Sequence, residues 1–300
     1  MSDPAPDLPE AANRRFASGA FTSGLTVPDF AACVQMGLEP VGYVQGFCVM
    51  QWRWYGMNSP YSRGLSPYGG GGQGGYMESW QCPHGFVSAE HRSWGQNYEQ
   101  SWVEDAWGQG FGTAYSRMLE EAEALGAHGV VGVVDSASRL GDLGVLEFHL
   151  RGTAVKVADT AGPPGGQPWT TYLAGQRLAK LIEAGYAPVA VAAAVSSVRV
   201  WAYCMTEYLL EGTSSSWGVQ QAGAEITQVA SAQMAARQIA REHVRAQLAG
   251  DSLHGAEMVV SEHELGQGDQ EVQCVLRGNR VRRFKDFDPM PVPHPTVRLS

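Results

Sequence analysis

The chain reads as two copies of one pattern, and this constrains its fold more than any other feature. LEPVGYVQGFCV at 38–49 is matched by YAPVAVAAAVSS at 186–197. LGAHGVVGVVD at 125–135 is matched by LHGAEMVVSEHE at 253–264. EFHLRGTAVKV at 147–157 is matched by EVQCVLRGNRVRRF at 271–284, with Leu150-Arg151-Gly152 falling on Leu276-Arg277-Gly278. Three separated blocks in the same order mean one supersecondary unit used twice.

Each copy opens with a short helix. Thr26 is placed to cap the first, Pro28 sits in its first turn, and Gly37 follows as a stop. Phe30 and Val34 mark its apolar face. Leu178, Ile182 and Gly185 hold the matching positions in copy two. A strand follows, Val41 to Met50 and Val189 to Trp201. A long helix comes next. In copy two Ile226, Val229, Ala236, Ala240, Val244 and Leu248 recur at helical spacing over about 224–248. In copy one Trp107, Phe111, Tyr115, Met118, Ala122 and Leu125 do the same. Gly108, Gly110 and Gly112 weaken that helix, so a late or irregular start is expected. Two strands close each copy. In the last strand the apolar parity changes at Gly152 (Leu146, Phe148 and Leu150, then Val155 and Val157) and again at Gly278. Such a change implies a bulge at these glycines.

The expected class is α+β: two tandem small α+β domains, each a mixed or antiparallel sheet with one short and one long helix. The expected organisation is an acidic, Pro-rich tail over 1–20, a first domain over 21–158, a linker over 159–168, a second domain over 169–287 and an extended tail over 288–300. Copy one carries extra residues, a Gly-rich aromatic loop over about 51–97. Trp and Tyr dominate binding hot spots, and a Gly-rich loop is a poor core element. Trp52, Trp54, Tyr68, Tyr76, Trp80 and Trp94 are therefore candidate contacts for a protein partner. The alternative reading is that these rings cover the domain's own core.

The blocks LGAHGVVGVVD and EFHLRGTAVKV, with the opening FTSGLTVPDFAACVQMGLEPVGYVQGFCV, resemble the YbjQ-like family, which carries a heavy-metal-binding label. The resemblance covers most of 21–158 and is weaker in copy two, which has Asn279 and Arg280 at the places of Thr153 and Ala154. It implies small α+β domains that associate into rings, usually pentamers, with no defined catalytic machinery and no ligand set.

Chemistry has few places to live. QCPHGFVSAEH gathers Cys82, His84, Glu90 and His91. Thiolate and imidazole suit zinc or copper, and Cys82, His84 and His91 are the candidate ligands. The stretch reads more readily as a polar loop, since one thiol is fewer than structural zinc sites use. His254, Glu257, Glu262, His263 and Glu264 alternate along a strand and cannot converge from it alone. His128 and His149 read as structural, with Asp135 within reach of His149 if their strands pair. No nucleophile elbow, phosphate loop or zinc-protease motif is present. Five cysteines with no close pair do not make a disulfide framework, and a net charge of −9 argues against nucleic-acid binding. The basic run Arg280 to Lys285 reads as a solvated strand end. No apolar run is long enough to span a bilayer, and no signal peptide is evident at the N-terminus, so a cytoplasmic location is expected. The function expected first is a non-enzymatic, ring-forming scaffold that self-associates, as a pentamer by the resemblance. The second is a metal-binding or metal-buffering protein using the Cys/His cluster.

Overall fold

A computed structural model describes residues 8–17, 21–51, 93–94, 97–139, 145–158, 167–200, 227–266 and 269–286. The elements in chain order are α1 (Glu10–Ala17), α2 (Val27–Gln35), β1 (Leu38–Gln51), β2 (Ser93–Trp94), β3 (Asn97–Glu99), α3 (Ser101–Ala124), β4 (Gly129–Arg139), β5 (Val145–Val157), β6 (Trp169–Thr170), α4 (Gly175–Glu183), β7 (Tyr186–Val200), α5 (Thr227–Gln247), β8 (Ser252–Gly266) and β9 (Asp269–Arg283). They form an α+β fold with two sheets. Sheet A runs β1-β5-β4-β6 and sheet B runs β2-β3-β7-β9-β8.

The duplication is visible in the register, which places Leu253 on Val130 rather than on Leu125 as the sequence blocks suggest. β1 pairs with β5 and β5 with β4, all antiparallel, as β7 pairs with β9 and β9 with β8. Each first strand bulges at the same place, between Pro40 and Gly42 and between Pro188 and Ala190. α2 begins, and both short helices end, as the sequence indicates. The Thr26 side chain accepts from the Asp29 N–H at 3.3 Å, and Gly37 and Gly185 follow the helices with φ of 76° and 79°. Leu178 is buried as expected, and the other face positions shift by one residue. Cys33, Leu178 and Leu181 are buried, whereas Val34 and Ile182 are exposed.

The parity change has another cause than the one expected. The pairing of β5 with β1 is unbroken at Gly152. The bulge lies in the facing strand, where Gly132 and Val133 oppose Gly152, and Gly255 and Ala256 likewise oppose Gly278. Gly132 and Gly255 have φ of 60° and 62°, which L side chains rarely adopt, so each bulge needs its glycine. Past Gly152 and Gly278 the other face of the last strand is also covered. Val155 and Val281 enter a core made with Cys33 of α2 and Leu178 and Leu181 of α4. Apolar residues change parity because the second face becomes buried.

α3 also differs from expectation. It is continuous from Ser101 despite its three glycines. Gly110 gives room to Phe148, whose ring atoms lie 2.1 Å from where a Cβ would stand, while Gly108 and Gly112 face open space.

The layers run sheet A, α3, sheet B, α5. α3 packs on the inner face of sheet A through Ala114, Met118 and Ala122, and the same core contains Val191, Ala193 and Val195 of sheet B. α5 covers the opposite face of sheet B with Ala232, Ala236, Ile239, Ala240 and Val244. β7 therefore has helices on both faces, and Val191 through Val198 are all buried. This explains its run of alanine and valine, since a strand covered on both sides does not alternate polar with apolar.

The two units also exchange short strands. β3 of copy one adds to β7, and β6 of copy two adds in parallel to β4. Asn279 fixes this second crossing. Its side-chain oxygen accepts from Thr171 Oγ1 (2.7 Å) and the Tyr172 N–H (2.8 Å), and its amide donates to His254 O (3.1 Å). Thr153 is its counterpart in copy one and accepts from the Gly24 N–H at 3.1 Å. Asn279→Ala should cost about 2 kcal/mol, because it strands buried partners without hydrogen bonds. Urea unfolding checks this; an unchanged midpoint would refute the role given to Asn279.

Candidate functional site

Two regions stand out: a buried polar junction between the copies and an open sheet face. The junction lies where β3 and the start of α3 reach β7. Glu104 Oε1 accepts from the Ser197 N–H at 2.9 Å. Ser197 Oγ donates among Gln100 Oε1 (2.9 Å) and Glu271 Oε1 (2.8 Å). The Glu104 and Glu99 carboxyls hydrogen-bond each other, which requires a proton on one of them. Burial and then the negative charge of Glu99 and Asp105 push the Glu104 carboxyl up to about 8, against the pull of the Ser197 N–H. His243 of α5 approaches with Nε2 3.8 Å from Glu104 Oε2, its Nδ1 lying 3.4 Å from Val195 O.

Glu99, Glu104 and His243 bring one ligand atom each within 4.8 Å of one another. Two carboxylates and an imidazole are ligands that a divalent cation accepts, and a proton shared by the two carboxyls relieves their repulsion without one. Sequence reasoning missed this junction because its members come from β3, α3, β7, α5 and β9. The available signal was Glu104, a charged residue on the apolar stripe that leads to Trp107 and Phe111.

The open face is the outer side of sheet A. Phe47 is 41% exposed and Val49 61%, and Val134 is exposed on the same face, across β5 from β1. Phe47 stacks on His149 with ring centroids 3.8 Å apart. Burial and the Arg151 charge hold the His149 imidazole below its ordinary value, so the ring stacks in its neutral form. The matching positions of sheet B, Val195 and Ser197, are 3% and 0% exposed because α3 lies on them.

The other sequence candidates divide. Cys82, His84, His91, Trp52, Trp54, Tyr68, Tyr76 and Trp80 lie outside the described residues; Trp94 belongs to β2, pairing with Asn97. Asp135 meets Arg277 at 3.3 Å rather than His149. His128 is structural: its Nδ1 accepts from the Val157 N–H at 2.8 Å. Glu262 is bonded by Gln233, and Glu257 by Arg277 at 2.9 Å, so the SEHEL carboxylates do not converge. In the basic run Arg280 and Arg282 hold Asp251 at 2.6 and 2.9 Å. Among the described residues no helix is long and apolar enough to cross a membrane.

No family model matches the chain. No solved structure matches it either. It is similar to a protein of Mycobacterium tuberculosis named encapsulin nanocompartment protein Rv1762c, with 28% identity over 277 residues, 89% of this chain and 87% of that protein.

Proposed function

We propose that this chain is a non-enzymatic structural protein that assembles with copies of itself. The observation that carries the reading is the open face of sheet A. Its equivalent in sheet B is buried under a helix, while here Phe47, Val49 and Val134 meet solvent. An apolar patch on one face of a layered fold marks an interaction surface. The similarity to a nanocompartment protein over most of both chains supports assembly as the role. A closed ring of YbjQ-like units, five chains by that resemblance, is the form proposed for it.

Light scattering coupled to size exclusion should give the mass of several chains across micromolar concentrations. A single-chain mass throughout that range would overturn the proposal.

A further inference from the structure

Among the described residues the layers run sheet, helix, sheet, helix, so they end in a bare sheet face on one side and a bare helix face on the other. Such ends are complementary, and the chain already contains the contact that would join them. Within one chain, copy one gives copy two a helix and a strand edge. The helix is α3, whose Trp107, Phe111 and Tyr115 stack in a row beside Val191, Ala193 and Val195. The edge is β4, where Trp169 and Thr170 pair in parallel with Gly129 and Val130. Copy two can offer the same pair of features onward, and copy one has both receiving surfaces open.

The correspondence runs along both surfaces with one exchange: a Cβ at Gly129 would stand 2.2 Å from the Trp169 ring, whereas Ser252 holds that place in β8 and the smaller Phe21 holds the place of Trp169. On the receiving side, Phe47 and Val49 stand where Val195 and Ser197 stand, and Phe21, Thr22 and Ser23 stand where Trp169, Thr170 and Thr171 stand. Ser23 Oγ lies 3.4 Å from Thr153 Oγ1 and accepts from the Leu25 N–H at 3.1 Å, as Thr171 does with Asn279 and Leu173. The segment is thus held in the conformation that pairs, yet Phe21 is 56% exposed. On the giving side, Ser252 and Leu253 of β8 take the places of Gly129 and Val130. Among the described residues that edge has no strand beyond it, and residues 254–257 are exposed or nearly so. Side-chain size has changed sides. Where α3 has Phe111 and Tyr115 against alanine and valine, α5 has Gln233 and Arg237, and the face awaiting it has Tyr43 and Phe47. Large against small is kept, and a guanidinium over an aromatic ring is a favourable contact.

We infer that two copies of this chain join head to tail, with α5 and the β8 edge of one copy covering the outer face of sheet A and the Phe21–Leu25 segment of the next. This rests on the self-assembly reading and names its surface. The contact is heterologous, so it propagates until a ring closes.

The test uses full-length chains and two surface variants. One carries Phe47→Asp and Val49→Lys, which spoils the receiving face. The other carries Arg237→Glu and Arg241→Glu, a half-buried and an exposed arginine one turn apart on α5, which spoils the giving face. Each alone should have the mass of one chain, with wild-type circular dichroism showing that it is folded. Mixed in equal amounts they should form a two-chain species and nothing larger, because one intact face of each kind remains. If wild type assembles and the Arg237/Arg241 variant assembles equally well, the head-to-tail contact is wrong while self-assembly stands; a twofold contact between sheet A faces would give this result. If wild type is a single chain, the self-assembly reading fails first.

Discussion

Gly46→Ala is expected to destabilise the protein by about 3 kcal/mol, the upper end of what overpacking costs. Gly46 lies on the inner face of β1, under α3. A Cβ there would stand 1.9 Å from Ala114 O and 2.7 Å from Met118 N. Both are backbone atoms of a helix held between two sheets, so neither can turn aside as a side chain could. The counterpart in copy two is already Ala194, under α5, which has a sheet on one side only. Gly112→Ala is the control. It lies in the same helix with nothing within 4 Å of its added Cβ, and alanine there should stabilise by about 1 kcal/mol. Urea unfolding followed by circular dichroism measures both. Equal midpoints for Gly46→Ala and wild type would show that α3 does not rest on β1 as described.

Glu104→Gln is expected to flatten the dependence of stability on pH. The folded protein holds the Glu104 proton up to about pH 8, whereas an ordinary glutamate loses it near 4.5. Between these values the folded state binds more protons than the unfolded one. The stabilisation is therefore complete below about pH 4.5 and is lost as pH rises through about 8. The loss across this window is on the order of 3 kcal/mol, since each pH unit over which only the folded state keeps the proton is worth about 1.4 kcal/mol and solvent screening removes part of the total. Glutamine keeps an oxygen for the Ser197 N–H and an amide donor for Glu99, and it does not ionise. The variant should match wild type near pH 5 and exceed it at pH 8.5, read as a higher Tm. A parallel Tm–pH curve for the two proteins would place the proton elsewhere. Because the junction joins α3 to β7, it ties the packing of the two copies to pH.

The sequence made the repeat, the order of its elements, the start of α2 and the stops of both short helices legible, because each rests on local chemistry: Thr26 as a cap, Gly37 and Gly185 as stops. The bulges were sensed through Gly152 and Gly278 but assigned to the wrong strand. A glycine that makes room and a glycine that bends look alike in a single chain, and only the facing strand tells them apart. α3 misled for a similar reason. Gly110 is there for Phe148, a residue far along the chain whose demand leaves no local trace. The junction was hidden because Glu99, Glu104, Ser197, His243 and Glu271 meet only when β3 crosses to the other copy's sheet. The open face could be found in part. Phe47 and Val49 share one side of β1 with Tyr43, and an apolar side chain on both faces of a strand signals a second layer. The sequence does not say that this layer is missing among the described residues.

The covalent link between the units has an arithmetic consequence. A single-unit protein using the head-to-tail contact could close a ring at any count that the angle between neighbours dictates, odd or even. Here every second contact is built into the chain, with α2 and α4 meeting in one core across it. A ring of these chains therefore holds an even number of units, and five chains would place ten around the axis. The built-in and added contacts also differ in their residues, so the two joints of such a ring need not bend equally. In the proposed ring, fusion followed by divergence would give alternate joints that can be tuned separately, which identical units in a symmetric ring do not have.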